Sequence, residues 1–354
     1  MNRFSLTYVA YLAVILLFTT TWEAAAHAKM YTLTITGASN GVTERSIGAT
    51  KGCADFNIDD LVDVGLRNYR IWGGMSRLEP QDDDGVYGWP TIDVIKAEPN
   101  VINWEAWDTQ FNRPDSYHFS PGGSCTTDVS LYEMLKALKD NGIAPVMTLR
   151  NVDDNSQPSW AKQLNPPWTA EDWNEWWEHV FATVYWVNVR NGLEVHDWQV
   201  HNEPDSIKQG WGGTLQDYIL FTRYTRDAIQ FVYDNYLEGK TFRLHAPVTT
   251  GVNSWVEESL IQNDHVVDVV DWHNYSSSHY AGAVQVNEWI ALYSDGDGKH
   301  EDTYISEWGS YRSAYGFSNA LSYAKILIEH SRDNAGYVTG SAIFPFYDWQ
   351  TIGA

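Results

Sequence analysis

Short apolar runs alternate with longer segments of helical periodicity along most of the chain. Eight runs have the length and the β-branched and aromatic content of strands. They span 46–50, 69–73, 144–149, 197–201, 242–248, 267–273, 303–306 and 341–346. Apolar residues recur at helical spacing in the segments between them, namely 58–64, 127–140, 169–190, 214–236, 255–262, 286–293 and 318–330. This alternation predicts a parallel sheet flanked by helices.

Eight strands favour a closed (β/α)8 TIM barrel over an open doubly wound sheet, which usually has fewer strands and a glycine-rich phosphate loop. Neither G-x-G-x-x-G nor G-x-x-x-x-G-K-[ST] occurs in the chain. We therefore expect one α/β domain over 29–354, with an extra strand at 31–36 that closes the bottom of the barrel or starts a small flanking sheet.

Two regions depart from a minimal barrel. The loop after strand 2, at 75–125, is far longer than usual and rich in aromatic residues, which indicates a wall of a substrate cleft. The chain also ends soon after strand 8 and leaves no room for an eighth helix. Either that helix is absent, or the sequence is a truncated reading frame.

The N-terminus has the order of a secretory signal peptide. A cation at Arg3 precedes an apolar run at 8–18, and Ala26-His27-Ala28 fits a small-residue cleavage site. No later segment approaches the length of uninterrupted apolar sequence that spans a membrane. We expect cleavage after Ala28 and a secreted protein, extracellular or periplasmic, that has no membrane partner.

The net charge of −23 opposes binding to nucleic acid or to anionic membranes. The only cysteines, Cys53 and Cys125, are free to form a disulfide in an exported protein, although the sequence leaves open whether they pair. They form no C-x-x-C cluster, and we expect no metal and no cofactor. The 18 tryptophans and 21 tyrosines suit stacking against sugar rings as well as core packing.

Polar side chains mark the ends of the predicted strands, where the active site of a barrel lies. These residues are Arg70, Asn202, Glu203, His273, Tyr275, Glu307 and Trp349. Hydrolysis of a glycosidic bond needs two carboxyl groups, ~5 Å apart for retention of configuration and ~6.5 to 9.5 Å apart for inversion. Because strands 4 and 7 face each other across the barrel mouth, Glu203 and Glu307 are expected to meet with the retaining spacing.

Three short motifs carry a family resemblance: HNEPD at 201–205, WHNY at 272–275 and YISEWGSY at 304–311. The chain resembles the retaining (β/α)8 glycoside hydrolases of clan A, and most of all family 39, which includes β-xylosidases and α-L-iduronidases. The resemblance implies that Glu203 is the acid/base, that Asn202 contacts the sugar 2-hydroxyl, and that Glu307 is the nucleophile.

The neighbours of the two glutamates have expected tasks. Tyr275 is placed to donate a hydrogen bond to Glu307, and Arg70 to supply a positive charge that favours the ionised carboxylate. The alternative for Arg70 is a structural ion pair inside the barrel mouth.

His201 and His273 are expected to orient these groups or to contact substrate hydroxyls. Trp349 is expected to form a floor under the sugar, with Trp308 beside it, and the alternative for Trp349 is core packing. The substrate is expected to be an oligo- or polysaccharide. The oligomeric state is open, and so are the sugar, the linkage and exo or endo action.

Other classes of function remain as alternatives. Ser39 lies in a G-x-S-x-G match typical of serine hydrolases, but the following 42–45 lead to a strand and not to the required helix. A metal hydrolase would recruit histidines, although H-E-x-x-H is absent. A carbohydrate-binding barrel without catalysis is the third alternative. The glycosylation sequon at Asn274 lies at the predicted pocket, so we expect it to be unmodified.

Overall fold

The computed structural model describes residues 46–50, 56–82, 85–114, 129–150, 160–161, 168–206, 211–275, 279–293, 301–309, 326–327 and 338–343. All of them belong to one compact unit, Glu44–Ala354. Several predictions fall outside these residues and stay predictions: the signal peptide, the strand at 31–36, the state of Cys53 and Cys125, and the eighth helix.

Eight strands form the centre of this unit. They are β1 Ser46–Thr50, β2 Asn68–Gly74, β3 Ala144–Arg150, β4 Asp197–Val200, β5 Arg243–Thr249, β6 Val269–Asn274, β7 Asp302–Trp308 and β8 Gly340–Ile343. Each strand pairs in parallel with the next, and β8 pairs with β1, which closes the barrel. The predicted (β/α)8 barrel is confirmed.

Nine α-helices are described. They are α1 Ile58–Asp63, α2 Met75–Leu78, α3 Ile92–Ala97, α4 Trp104–Asn112, α5 Leu131–Asp140, α6 Ala170–Val184, α7 Leu215–Tyr236, α8 Ser254–Asn263 and α9 His279–Tyr293. A π-helical segment, Tyr185–Arg190, continues α6. Of the helix predicted at 318–330, only 326–327 are described, and both are helical. Within the described residues, no helix is long and apolar enough to cross a membrane.

Helix boundaries differ from the predicted ones where capping decides the start. Helix α5 begins at Leu131 and not at 127, because Ser130 and Glu133 form a reciprocal capping box. Reciprocal capping boxes also precede α6, formed by Thr169 and Asp172, and α7, formed by Thr214 and Asp217, so the predicted starts at 169 and 214 coincide with these N-cap residues. Helix α9 begins at His279, well before the predicted 286.

The long loop after β2 folds into α2, α3 and α4. Trp104 stacks on Tyr185 at 5.0 Å between ring centroids, and Phe111 stacks on Trp186 at 3.9 Å. Trp107 is fully buried. These aromatic residues therefore pack the loop against the π-helical segment as part of the main apolar core.

The same loop also bounds a cavity of about 420 Å³, lined by α4 and by the residues that follow α2. None of the predicted site residues is among the described residues that line it. Residues 115–125 of the loop, for which we also predicted a cleft wall, lie outside the described part of the chain.

The main apolar core lies between the barrel and its surrounding helices. Inside the barrel, a smaller apolar group lies toward the N-terminal ends of the strands and consists of Val146, Val269, Tyr304 and Ala342. Closer to the C-terminal ends, the interior is polar. This polar interior leads directly to the residues predicted from the strand ends.

Candidate active site

Glu203 and Glu307 lie together at the C-terminal ends of β4 and β7. One carboxylate oxygen of each lies within 4.8 Å of the other. The Glu307 side chain is 5% exposed and that of Glu203 is 14% exposed. The barrel thus joins two carboxyl groups that are more than one hundred residues apart in sequence.

The backbone around Glu203 leaves the strand in a sharp turn. His201 and Glu203 have φ angles of 62° and 45°, in the left-handed region that non-glycine residues seldom occupy. Backbone hydrogen bonds hold both, since the His201 N–H donates to Leu149 O and the Glu203 N–H to Val248 O, each at 2.8 Å. The turn is therefore fastened to the neighbouring strands on both sides.

Asp205 ties the same turn to the loop after β5. Its carboxylate accepts from the Thr250 N–H at 3.0 Å, from the Thr250 hydroxyl at 2.6 Å and from the Asn253 amide at 2.7 Å. The last residue of the HNEPD motif thereby supports the position of Glu203 without touching it.

Three side chains surround the carboxylate of Glu307. Arg70 donates to Oε1 in a buried ion pair, and the Tyr275 hydroxyl donates to Oε2 at 2.6 Å. The Nδ1 of His273 lies 3.5 Å from the same Oε2. Burial alone would raise the pKa of Glu307, but attraction to His273 and Arg70 and the Tyr275 hydrogen bond outweigh it and lower that pKa. Glu307 is thus kept ionised.

His273 also connects the two glutamates. Its Nδ1 lies 2.7 Å from Oε1 of Glu203. Because an ionised carboxylate only accepts hydrogen bonds, Nδ1 carries the shared proton when Glu203 is ionised. When Glu203 is protonated, the same contact can be made to a neutral imidazole. The pair therefore accommodates both protonation states of Glu203.

Arg70 forms a buried ion pair with Glu307, and its charge is one of the causes of the lowered pKa of that carboxylate. Its guanidinium donates to Glu307 and, at 2.8 Å, to the side-chain oxygen of Asn202. This hydrogen bond fixes which end of the Asn202 amide accepts. The contact of Asn202 with a sugar hydroxyl stays a prediction.

Arg150 is a site residue that the sequence analysis missed. It ends β3, is 2% exposed, and lies 4.4 Å from the ring centroid of Trp72, on which Arg70 also packs at 4.4 Å. Burial and the charge of Arg70 lower its pKa to about 9, opposed by attraction to Glu307 and Glu203. The predicted third strand ends at 149, whereas β3 extends to Arg150, which is therefore a strand-end residue as well.

The remaining predicted residues lie at the edge of this group or outside the described residues. His201 is fully buried, its Nδ1 lies 2.9 Å from the backbone oxygen of Asn202, and its ring meets Trp211 edge-on. Trp308 is fully buried and packs edge-on against His279, so its described contacts are those of a core residue. Trp349 lies outside the described residues.

Among the described residues, one group has the ligand types and spacing of a metal site, namely Glu203, His273 and Glu307. Its Glu307 oxygens already accept from Arg70 and Tyr275. A divalent cation bound there would repel the neighbouring guanidinium of Arg70. The arrangement consequently favours proton transfer between side chains over metal binding.

No family model matches the chain, and no curated protein matches it. Solved structures do match. A family 39 β-xylosidase from Caulobacter crescentus aligns with a TM-score of 0.53 and 19% identity over 87% of this chain and 64% of that one. A family 39 enzyme from Xanthomonas axonopodis pv. citri gives 0.55 and 17% over 90% and 63%. A glucosidase from Croceicoccus marinus gives 0.55 and 16% over 84% and 59%.

The chain spans less than two thirds of the length of these three solved proteins. At such low identity, the likeness concerns the course of the backbone. This chain therefore shares the barrel fold of several solved glycoside hydrolases.

Proposed function

We propose that this chain is an exported glycoside hydrolase that cleaves O-glycosidic bonds in oligo- or polysaccharides with retention of configuration. The observation that carries the proposal is the approach of Glu203 and Glu307 to within 4.8 Å. Retaining enzymes separate their two carboxyl groups by about 5 to 5.5 Å, whereas inverting enzymes need room for a water molecule between carboxylate and sugar.

The first step uses the two glutamates in different ways. The ionised Glu307 attacks the anomeric carbon, while Glu203 gives its proton to the departing glycosidic oxygen. The C–O bond to the leaving group breaks as the bond to Glu307 forms, which yields a covalent glycosyl-enzyme. Arg70 and Tyr275 keep Glu307 ionised at the working pH. Their hydrogen bonds to its carboxylate must weaken as one carboxylate oxygen bonds to the anomeric carbon.

The second step returns the enzyme to its starting state. Glu203, now ionised, takes a proton from water, and the resulting nucleophile attacks the anomeric carbon from the face that the leaving group vacated. The bond to Glu307 breaks. Two inversions give net retention, and Nδ1 of His273, 2.7 Å from Oε1 of Glu203, is able to hydrogen-bond that carboxyl group in either protonation state.

The substrate class has support from outside the site. Solved proteins with the same fold include a β-xylosidase, a glucosidase and an exo-β-1,4-mannosidase, all of which act on carbohydrates. Export is proposed from the pattern of the first 28 residues. An exported enzyme encounters polysaccharides, and the 18 tryptophans and 21 tyrosines of the chain suit stacking against sugar rings.

The direct test screens aryl glycosides and plant and algal polysaccharides, and follows the first-formed anomer by NMR. We expect the product to have the configuration of the substrate, with no turnover by Glu307→Gln. Initial formation of the opposite anomer contradicts the double displacement. Binding of glycans without turnover of any of them would instead support the non-catalytic barrel.

A further inference from the structure

The barrel interior directly below the two glutamates is polar. Its described members are Arg70 on β2, Thr148 on β3, Gln199 on β4, His245 on β5 and Asp271 on β6. None is more than 1% exposed. Barrel interiors are usually filled by branched apolar side chains, and buried polar groups are costly unless they are hydrogen-bonded. These five are bonded to one another in a continuous chain.

His245 begins the chain between two carboxylates. Its Nε2 lies 3.0 Å from Oδ1 of Asp197, and its Nδ1 lies 3.1 Å from Oδ2 of Asp271. Both ring nitrogens therefore face acceptors, which is the pattern of an imidazolium. Burial alone would lower the pKa of His245, but the hydrogen bonds and charges of the two aspartates raise it.

Gln199 continues the chain with a fixed amide orientation. Its Nε2 donates to Oδ2 of Asp271 at 2.7 Å. Its Oε1 accepts from the Nε of Arg70 at 2.5 Å and from the hydroxyl of Thr148 at 2.6 Å. Because one end of the amide meets a carboxylate and the other meets a guanidinium, only one of its two orientations is compatible with both neighbours.

Arg70 ends the chain at the nucleophile. Once Nε is bound to Gln199, the plane of the guanidinium is set. Its two terminal nitrogens then point at Glu307 and Asn202. The Arg70–Glu307 geometry consequently depends on Gln199, which is hydrogen-bonded to Arg70.

We propose that His245 is a positioning residue for the reaction, acting through Asp271 and Gln199 to set the Arg70 guanidinium against Glu307. As an imidazolium, His245 donates from Nδ1 to Oδ2 of Asp271, which fixes this carboxylate, and Gln199 turns its amino group toward the same oxygen. Without that donor, the carboxylate of Asp271 can rotate and the amide of Gln199 can reverse. A reversed amide would present a donor to Arg70 and displace it.

The charges around both ends of the chain are defined. His245 faces Asp197, Asp271 and the edge of the Tyr304 ring at 5.2 Å, and Asp197 is also paired with Arg243 at 2.7 Å. At the other end, Glu307 faces Arg70, His273 and Tyr275 together with the charges of Arg150 and Glu203. A change at His245 can reach Glu307 through Asp271, Gln199 and Arg70. Asp271 also accepts at 3.2 Å from the backbone N–H of Ser306, which precedes Glu307.

Two substitutions of His245 separate its hydrogen bond to Asp271 from its hydrogen bond to Asp197. The Asn amide nitrogen of His245→Asn stands near the place of Nδ1 and preserves the bond to Asp271. The Gln amide nitrogen of His245→Gln stands near Nε2 and preserves only the bond to Asp197. This inference rests on the proposed function, so its kinetic readout needs the active enzyme.

We expect His245→Gln to lower kcat on an aryl glycoside roughly tenfold, equivalent to ~1.4 kcal/mol of activation free energy, with little change in KM. The acid limb of kcat/KM should move to higher pH, because Glu307 loses a well-placed guanidinium. His245→Asn should keep more activity. The matched control is His179→Gln. His179 lies on α6, is fully buried, and has its Nδ1 3.0 Å from Oε2 of Glu79. This substitution should leave the pH profile unchanged.

A second measurement does not need activity. The carboxyl carbon of Glu307 is titrated by NMR in protein labelled with ¹³C-glutamate and assigned with Glu307→Gln. We expect a higher Glu307 pKa in His245→Gln than in the wild type. If this shift occurs in a protein that hydrolyses no glycan, the proposed function fails and the positioning role stands.

An active wild type whose Glu307 titration and pH profile do not change in His245→Gln overturns the inference. Should His245→Gln fail to fold, Asp271→Asn takes its place, because it keeps the shape of the side chain and removes the charge. The same shift is then expected, and an unchanged titration is again the contrary result.

Discussion

A carboxylate oxygen of Glu203 lies within 4.8 Å of one of Glu307, yet the two groups are held differently. Glu307 is 5% exposed and bound by Arg70 and Tyr275, whereas Glu203 is 14% exposed and bonded to His273. Two residues of the same type thus have different surroundings, which lower the pKa of Glu307 and leave Glu203 more exposed and bonded to His273.

Substrates with poor leaving groups should depend on Glu203 far more than activated ones. In Glu203→Ala, cleavage of an unactivated disaccharide should fall by roughly two to four orders of magnitude, the usual contribution of general acid catalysis. Glycosylation by an activated aryl glycoside should be almost unchanged, because its leaving group departs without a proton. Pre-steady-state release of the aryl group measures that step directly.

The matched control is Glu257→Ala, which removes a carboxylate from the surface helix α8 and should leave both substrates unaffected. Equal losses on the two substrates in Glu203→Ala would remove Glu203 from the acid role.

The Tyr275 hydroxyl should set part of the pH dependence. Tyr275→Phe removes the 2.6 Å hydrogen bond to Glu307, which helps to lower the pKa of that carboxylate. The pKa of Glu307 should therefore rise in Tyr275→Phe. The acid limb of kcat/KM should move to higher pH, and kcat should fall. Rates measured between pH 4 and pH 8 on one aryl glycoside provide the test.

Tyr233→Phe is the control for this change. Tyr233 is buried and its hydroxyl donates to Val195 O at 2.8 Å, away from the two glutamates. Its loss should reduce stability without moving the pH profile. If both tyrosine variants move the acid limb alike, the hydroxyl of Tyr275 is not what holds Glu307 ionised.

The free energy of unfolding should depend on pH in the way expected for a buried imidazolium. The folded-state pKa of His245 is raised by Asp197 and Asp271, while its unfolded value is about 6.5. Its contribution to the free energy of unfolding is therefore fully present below pH ~6.5 and is lost as the pH rises through the raised folded value.

Urea unfolding at a series of pH values from 5.5 to 9 measures this effect as the difference between the wild type and His245→Asn. The stability advantage of the wild type should shrink as the pH rises. An advantage that grows with pH would mean that His245 is neutral in the folded protein.

The N-terminus of α7 offers a test of the fold alone. The Thr214 hydroxyl accepts from the Asp217 N–H, and the Asp217 carboxylate accepts from the Thr214 N–H at 2.7 Å. Thr214→Ala should lower the free energy of unfolding by about 1 kcal/mol with kcat unchanged. Thr214→Ser keeps the cap and should remain within a few tenths of a kcal/mol of the wild type; a loss equal to that of the alanine variant would exclude capping as the cause.

The sequence was sufficient for the barrel because each strand run is short and apolar, and each except the last is followed by a helical pattern. It also predicted Arg70, Glu203, Tyr275 and Glu307 as site residues, because the active site of a barrel lies at the C-terminal ends of its strands, independently of how the loops fold. These four lie in one group in the structure.

The polar interior could not be predicted in the same way. Barrel strands are covered on both faces, so polar and apolar positions do not alternate in a pattern that identifies the inner face. Gln199, His245 and Asp271 are consequently indistinguishable in sequence from polar residues at a strand edge. Only the register of β4, β5 and β6 brings them together.

The start of α9 was missed for a local reason. Gly282 lies near its beginning, and glycine disfavours helix by about 1 kcal/mol relative to alanine, so the pattern is clear only from 286 onward. In the structure, a Cβ atom at position 282 would lie 3.2 Å from the Val252 side chain, so glycine avoids a close contact there.

The two left-handed residues that flank Asn202 have an evolutionary consequence. Glycine or asparagine would adopt the φ angles of His201 and Glu203 with less strain, which costs of order 1 to 3 kcal/mol for each such residue. Relief of this strain alone would thus favour replacing Glu203 by either residue. Under the proposed function, such a replacement would remove the acid/base carboxyl group, which is the reason to keep a glutamate in a strained conformation.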